Sequence, residues 1–188
     1  MTLSSLTNIK KGTLLIASPE IEADFFYRSV ILICEHSPTG TFGLVLNKPL
    51  EAGLPEELLE INTSSNDQIA MRIGGPVQTN QLLLLHNSSQ VDQAIAICEN
   101  VYLGGDLKFL QTSLENQTGP SILLCFGYTG WGPNELEKDI ANGFWFLSDA
   151  KHEYLFKTPP ENLWKTALVD KGGKYSSFSF MPDDLSQN

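Results

Sequence analysis

The chain has few of the residues that redox, metal-binding and nucleic-acid-binding proteins depend on. It contains three cysteines, Cys34, Cys98 and Cys125, each in an apolar run and none in a Cys-x-x-Cys pair. This odd number predicts reduced, buried thiols and not a disulfide framework. Twelve Lys and Arg face 22 Asp and Glu, which gives a net charge of −10. Such a charge repels phosphate backbones, so direct nucleic-acid binding is disfavoured unless folding assembles a local positive patch.

Long hydrophobic runs are also missing. No apolar stretch approaches the roughly 20 residues that span a bilayer. The first residues, MTLSSLTNIKKG, lack a cationic region followed by an apolar core, so we expect no signal peptide. We therefore expect a cytoplasmic protein without a membrane partner. A length of 188 residues with 41% hydrophobic content fits a single domain over 1–188, with its core at about 12–170 between a polar lead-in and a polar tail.

The clearest structural signal lies in the stretch Gly12–Leu50. It holds three short runs rich in Val, Ile, Leu or Phe, at Thr13–Ala17, Ser29–His36 and Phe42–Asn47. Each run is bounded by Pro, Gly or Asn, which is typical of strands. The connection Ser37–Gly40 has the composition of a hairpin turn. Both faces of the second run are apolar, so we expect this strand to be covered on both sides.

The remaining pattern predicts more strands than helices. Further strands are predicted at Ile69–Ile73, Gln81–His86, Val91–Cys98, Val101–Leu103, Ser121–Phe126, Phe144–Leu147 and Tyr154–Phe156. Helices are predicted at Pro55–Ile61, Leu107–Leu114, Pro133–Asn142 and Pro159–Asp170. Hairpin-linked strands at the front and few helices indicate an α+β fold with a mixed sheet, not a doubly wound parallel one.

A glycine-rich stretch, Gly127–Gly132, stands between a predicted strand and a predicted helix. One interpretation is an anion site at the helix N-terminus. However, the stretch has no Walker-type Lys-Ser or Lys-Thr and no Gly-x-Gly-x-x-Gly. The acids Glu135, Glu137 and Asp139 in the first turns would repel a phosphate and already complement the helix dipole. The pattern favours a tight turn plugged by Trp131.

Cys34 and His36 are the nearest approach to a catalytic pair. Two residues apart on one strand, they should share a face, but their backbones would be about 6.6–7 Å apart, too far for an ideal dyad. We favour an inert buried thiol over a nucleophile. His36, His86 and His152 show no His-x-x-His or His-x-x-x-His spacing, so we predict no metal site and no cofactor.

A binding cleft is predicted where polar, aromatic and glycine residues fall at strand ends. The candidate residues are Arg28, His36, Asn47, Lys48, Gly74, Gly75, Pro76, Tyr128 and Trp131. For the charged positions, the competing interpretation is solvated strand ends or an ion pair of Arg28 with Asp24. For Gly74–Pro76, a sharp bend in the sheet competes with close approach to a ligand or partner.

Several motifs in fixed order resemble the bacterial YqgE/AlgH family. They read GTLLIASP, FFYRSVILICEH, GTFGLVLNKP, IGGPV, LLLLH, GYTGWGPNELEKDIANGFW and ENLWKTAL, and they cover most of the chain. The resemblance implies a compact α+β domain, with a bifurcated sheet folded into a pseudo-barrel and helices packed outside. It implies no reaction, although the family carries an old label as a transcriptional regulator of alginate synthesis. This chain departs from the family at Asn134-Glu135-Leu136-Glu137, where relatives usually read Gly-Gln-Leu-Glu.

These observations lead to three functional hypotheses. The first is a binding or regulatory module that recognises a small molecule or a protein partner. The second is an enzyme on a small substrate that uses His36 with Cys34 or Arg28. The third is a regulator that binds DNA directly, which the net charge of −10 disfavours.

Overall fold

The computed structural model describes residues 8–22, 25–51, 68–116 and 118–182. Its strands are β1 (Thr13–Ala17), β2 (Val30–Ser37), β3 (Gly40–Val45), β4 (Ile69–Ile73), β5 (Val77–His86), β6 (Ile95–Cys98), β7 (Val101–Leu103), β8 (Ile122–Trp131) and β9 (Trp145–Asp149). Its α-helices are α1 (Leu107–Glu115), α2 (Glu135–Ala141), α3 (His152–Phe156) and α4 (Pro160–Lys171). A 3₁₀ helix, Gly173–Phe180, follows α4.

The strands form one mixed sheet in the order β6-β7-β5-β8-β3-β2-β1-β9, curled into a half-barrel. The long strand β8 causes the sheet to fork. Its first half, Ile122–Phe126, lies between β5 and the parallel strand β4, whereas its second half, Thr129–Trp131, pairs with β3. The predicted α+β class with a bifurcated, barrel-like sheet and peripheral helices is confirmed.

Three apolar clusters explain the layers. The inner face of the sheet packs against α3 and α4 and includes Leu32, Leu44 and Trp164. The outer face of β1, β2 and β3 packs under α2, and the outer face of β5 and β8 packs under α1. Because β2 contributes alternate residues to two clusters, both of its faces are buried, as the sequence predicts.

Most predicted elements are present, but some are wrong in type or extent. Residues Tyr154–Phe156 belong to helix α3 and not to a strand, since Lys157 N–H donates to the Glu153 carbonyl at 3.0 Å in a helical turn. Of the predicted strand Val91–Cys98, only Ile95–Cys98 is extended. The predicted helix Pro55–Ile61 lies outside the described residues.

The glycine-rich stretch is the most informative difference. The sequence predicts a turn after Phe126, yet β8 continues through Trp131. Gly127 lies at φ +72°, a left-handed conformation that glycine adopts without strain. At the same place the register with β5 shifts between Val77 and Leu82. The glycines therefore let one strand bend and change partners, and do not form a loop.

Candidate functional site

The structure divides the nine predicted site residues among three places. Arg28, Asn47 and Lys48 lie together where β2 begins and β3 has ended, beside α4. The β4–β5 connection, Gly74–Pro76, packs on Tyr128 of β8. His36 and Trp131 both pair with Thr41, at the far end of the β2–β3 hairpin. Val30 and His36 are separated by roughly 20 Å along the strand, so the predicted set does not line one cleft.

The first group does line a cavity. It has a volume of about 240 Å³, and we name it the α4 cleft. Its walls are Tyr27, Arg28, Asn47, Lys48, Pro160, Glu161, Trp164 and Lys165. Helix α4 supplies half of this lining, because its apolar side, including Leu163 and Trp164, packs on the inner face of the sheet and leaves Glu161 and Lys165 at the rim.

Arg28 is held flat against the aromatic wall of the α4 cleft. Its Cζ lies 4.6 Å from the centroid of the Trp164 ring and 5.2 Å from that of Tyr27, which is within cation–π range. Its Nη2 donates to the Met181 carbonyl at 3.0 Å and also to the Pro182 carbonyl. The Trp164 ring is fixed in turn, since its Nε1 donates to the buried Ala17 carbonyl at 2.8 Å.

Asn47 and Lys48 bind the backbone that carries Arg28. The Asn47 side chain accepts from Val30 N–H at 2.8 Å and donates to the Arg28 carbonyl at 2.9 Å. Beyond the end of β3, the Asn47 side chain makes the hydrogen bonds that a neighbouring strand would otherwise make, so its first role is structural. Lys48 Nζ donates to the Tyr27 carbonyl at 2.8 Å, and burial lowers the pKa of Lys48.

The charge balance of the α4 cleft is opposite to that of the chain. Arg28, Lys48 and Lys165 line it, and Glu161 is the one acid among the described residues of its lining. The whole chain carries 22 acids and 12 Lys and Arg. A positive cavity in an acidic protein attracts anions locally, because field lines concentrate in a cleft with low-dielectric walls.

The glycines at Gly74 and Gly75 are required by the fold itself. A Cβ on Gly74 would lie 2.3 Å from the Gly127 carbonyl oxygen, and one on Gly75 would lie 2.1 Å from the Tyr128 carbonyl group. The backbone that follows β4 thus approaches β8 more closely than any side chain permits. The close approach at Gly74 and Gly75 is made to the chain's own strand β8.

The acidic side chains of α2 make polar contacts at the far end of the β2–β3 hairpin. Glu135 accepts from Gly132 N–H at 2.7 Å, and Asp139 accepts from Trp131 Nε1 at 3.1 Å. Glu137 Oε1 lies 3.8 Å from His36 Nε2. These contacts fasten a short helix to the strand ends, and the negative side chains leave no favourable place for a phosphate.

Cys34 and His36 do not form a catalytic pair. The β2–β3 register shifts between Ile33 and Glu35, so β2 carries one extra residue. Cys34 therefore packs into the inner cluster, whereas His36 faces α2 and binds Thr41 Oγ1 at 2.8 Å. The Cys34 side chain is 4% exposed, and burial raises its pKa well above the usual value. Arg28 lies beyond the opposite end of the strand, so neither predicted partner of His36 reaches it.

A family model described as AlgH-like (DUF179) matches residues 14–176. The chain belongs to the AlgH-like family. A UPF0301 protein of Chlamydia abortus is 48% identical to it over 181 residues, covering 96% of both chains. A UPF0301 protein of Chlorobium limicola is 31% identical over 186 residues, covering 96% of this chain and 97% of its own.

Solved structures show the same AlgH-like fold. The solution structure of the AlgH protein from Pseudomonas aeruginosa matches with a TM-score of 0.71 and 26% identity, covering 93% of this chain and 95% of its own. A crystal structure of a Corynebacterium diphtheriae protein matches with a TM-score of 0.73 at 24% identity, covering 92% and 93%. These names state no substrate and no reaction, so the comparisons confirm the family resemblance and assign no activity.

Within the described ranges, no three His, Cys, Asp or Glu side chains are grouped so that they could hold a metal ion. No helix in the same ranges combines the length and the apolar character needed to cross a bilayer.

Sequence reasoning missed the residues that α4 contributes. The predicted helix Pro159–Asp170 correctly places Leu163, Trp164, Ala167 and Leu168 inward. Yet nothing in the sequence of an AlgH-like chain says that this helix packs beside Arg28, more than 130 residues earlier. The sequence signal that could have found these residues is Lys165, a cation that directly follows the inward-facing Trp164 in a predicted helix of an acidic chain.

Proposed function

We propose that this chain is a binding module that captures a small anionic molecule in the α4 cleft. The observation that carries the proposal is the clustering of charge. Three of the 12 Lys and Arg of a chain with net charge −10 line one cavity, against a single acid among its described lining residues. The positive charge concentrated at this cavity attracts anions locally and favours an anion over a neutral ligand.

The size and the walls of the cleft support the same proposal. A volume of about 240 Å³ lies below the roughly 300–1,000 Å³ of pockets for drug-sized ligands, so it suits a small molecule. Trp164 and Tyr27 offer apolar surface next to the cations. Arg28 is held in place by its aromatic and carbonyl contacts, so binding would require little further ordering of this side chain.

A protein partner that presents an acidic side chain is the second candidate, because the same cations would receive it. It differs in what is captured, namely a polypeptide instead of a small molecule. The enzyme hypothesis has no support in the geometry of His36, Cys34 and Arg28.

We further propose one domain for residues 1–188 and a cytoplasmic location. The sharing of β1–β3 and β8 among the apolar clusters supports the single domain.

Native mass spectrometry of gently purified protein tests this function. We expect an additional small mass on the wild-type protein that disappears when Lys48 and Lys165 are both changed to Gln. The matched control changes Lys108 in α1 and Lys138 in α2 to Gln, which removes the same charge elsewhere. Loss of the small mass from both double variants, or its retention by both, would contradict the α4 cleft as the site. Circular dichroism verifies that each variant is folded.

A nucleic-acid ligand would give a different result. Direct binding to DNA predicts retention on a DNA column that falls steeply as salt rises. We expect no such retention, because the net charge of −10 opposes it. Salt-dependent retention that survives the Lys48→Gln and Lys165→Gln changes would favour a DNA-binding surface outside the α4 cleft.

A further inference from the structure

Arg72 is a buried cation that the sequence analysis did not single out. It lies on β4 opposite Cys125 of the parallel strand β8, and its side chain is 8% exposed. Ile69 and Met71 pack in the outer cluster under α1, whereas Ala70 packs in the inner cluster. Because side chains alternate along a strand, Arg72 shares the inner face with Ala70.

In the described part of the chain, two N–H groups of the Arg72 guanidinium donate to backbone carbonyls. Its Nε donates to the Leu46 carbonyl at 2.8 Å, and its Nη1 donates to the Met71 carbonyl at 2.9 Å. A guanidinium carries five N–H donors. In the part of the chain that the structure describes, Arg72 makes no ion pair within 4.0 Å; Glu161 influences it only at longer range.

A cavity of about 230 Å³ opens beside this side chain, and we name it the Arg72 cavity. Its polar walls include Ser121, Lys157 and Thr158, and its apolar walls include Ala70 and Leu123. It lies between β4, the start of β8 and the α3–α4 connection. None of its lining residues lines the α4 cleft, so the two cavities are separate.

We propose that the Arg72 cavity binds a small organic oxyanion whose carboxylate or phosphate group pairs with the Arg72 guanidinium. Burying a cation without an anionic partner is costly, and an anionic ligand would reduce that cost. The planar fork of Arg matches two oxygens of a carboxylate or phosphate. Lys157 adds a second positive charge, and the wall of Ala70 and Leu123 can contact a short carbon chain.

Burial lowers the pKa of Arg72, as expected for a cation removed from water. An arginine still remains protonated at neutral pH, because its ordinary pKa lies far above neutrality. The charge is therefore present in the cavity and available to a ligand.

The chain contains only two arginines, Arg28 and Arg72, which makes the test direct. In a ¹⁵N-labelled protein, the arginine Nε–H region of an NMR spectrum holds one signal from each, and Arg72→Lys assigns them. We would titrate sodium butyrate and sodium phosphate separately, against sodium chloride at matched ionic strength. We expect the Arg72 signal to shift and saturate at millimolar butyrate or phosphate and to stay in place with chloride. Saturation by butyrate assigns a carboxylate ligand, and saturation by phosphate alone assigns a phosphate.

Two variants that fill the cavity without touching the guanidinium complete the design. Ala70→Val and Ser121→Leu should each weaken binding roughly ten-fold or more, which corresponds to about 1.4 kcal/mol. The control Ala96→Val makes the same change on β6, outside the cavity, and should leave binding unaltered. An unsaturable Arg72 shift with both anions, an equal response to chloride, or unchanged affinity in both filled variants would overturn the proposal. The Arg28 signal reports the α4 cleft separately, so failure at one site is distinguishable from failure at the other.

Discussion

Cys34 and His36 lie two residues apart on β2 yet face opposite sides of the sheet. One extra residue between Ile33 and Glu35 reverses the alternation, because a bulge places two residues opposite one on the partner strand. The thiol enters the inner cluster, and the imidazole turns towards Glu137 of α2. This single irregularity removes the most plausible nucleophilic pair of the chain.

Thiol reactivity should reflect this arrangement. Burial raises the pKa of Cys34 well above its usual value and that of Cys125 to about 12, so both remain protonated and shielded. We expect native iodoacetamide labelling, mapped by mass spectrometry, to modify the half-buried Cys98 first. Cys34 and Cys125 should react only after denaturation. Rapid labelling of Cys34 in the folded protein would revive the enzyme hypothesis.

Asn47 should contribute mainly to the stability of the fold and only secondarily to ligand binding. Asn47→Ala leaves Val30 N–H and the Arg28 carbonyl without their side-chain partners. Each buried unpaired group costs about 1–3 kcal/mol, so we expect the free energy of unfolding to fall by roughly 2–4 kcal/mol in urea denaturation. Asn47→Asp keeps the acceptor for Val30 and should lose less. Wild-type stability in Asn47→Ala would show that these bonds are dispensable.

Gly75 should tolerate no side chain. Ala at this position would place Cβ 2.1 Å from the Tyr128 carbonyl group, so backbone must move. We expect Gly75→Ala to lower the free energy of unfolding by about 3 kcal/mol or more, or to prevent folding. Gly143→Ala is the matched control, since its Cβ meets nothing within 4 Å and only the left-handed φ of +83° is unfavourable. It should lose about 1 kcal/mol; equal losses at both positions would contradict the close-approach explanation.

His86 should make the protein less stable in mild acid. The ring is fully buried, packs 4.8 Å from Phe109 between centroids, and accepts from Ser88 N–H through Nδ1. Burial lowers its pKa, so as pH falls below about 6.5 the unfolded chain binds a proton that the folded chain does not. Stability contributed by the neutral ring is present above that pH and is lost as pH falls.

The test compares denaturation between pH 7 and pH 5. In the wild type, this histidine alone can lower the free energy of unfolding by up to about 1.4 kcal/mol per pH unit below 6.5. His86→Gln should flatten that slope, although it is less stable at pH 7. An unaltered slope in His86→Gln would rule out His86 as the source.

Local pattern was sufficient for much of the fold. Strands β1, β4 and β7 begin and end where the apolar runs predict. Errors occur where the tertiary structure decides. The run Tyr154–Phe156 is too short to distinguish strand from helix, and the Tyr154 hydroxyl is drawn to Asp170 of α4 at 2.6 Å.

The candidate site was predictable only in part, for a geometric reason. Arg28, Asn47 and Lys48 were recognised because they end strands that the sequence itself makes neighbours. Trp164 and Lys165 were missed because the sequence does not show where α4 packs. The sequence groups Trp131 with them because its glycine-rich surroundings predict a turn, but β8 continues and carries Trp131 to the hairpin end.

The central claim is that ligand capture takes place beside α4 and not at the glycine-rich end of β8. The three tryptophan indole N–H signals of a ¹⁵N-labelled protein test it most directly. The probe is the small-molecule fraction released from purified protein by denaturation and added back to ligand-free protein. We predict a saturable shift of the Trp164 signal, because the Trp164 ring contacts Arg28. The Trp131 signal should not change, because its N–H stays hydrogen-bonded to Asp139. A shift at Trp131 with Trp164 unmoved would contradict the account.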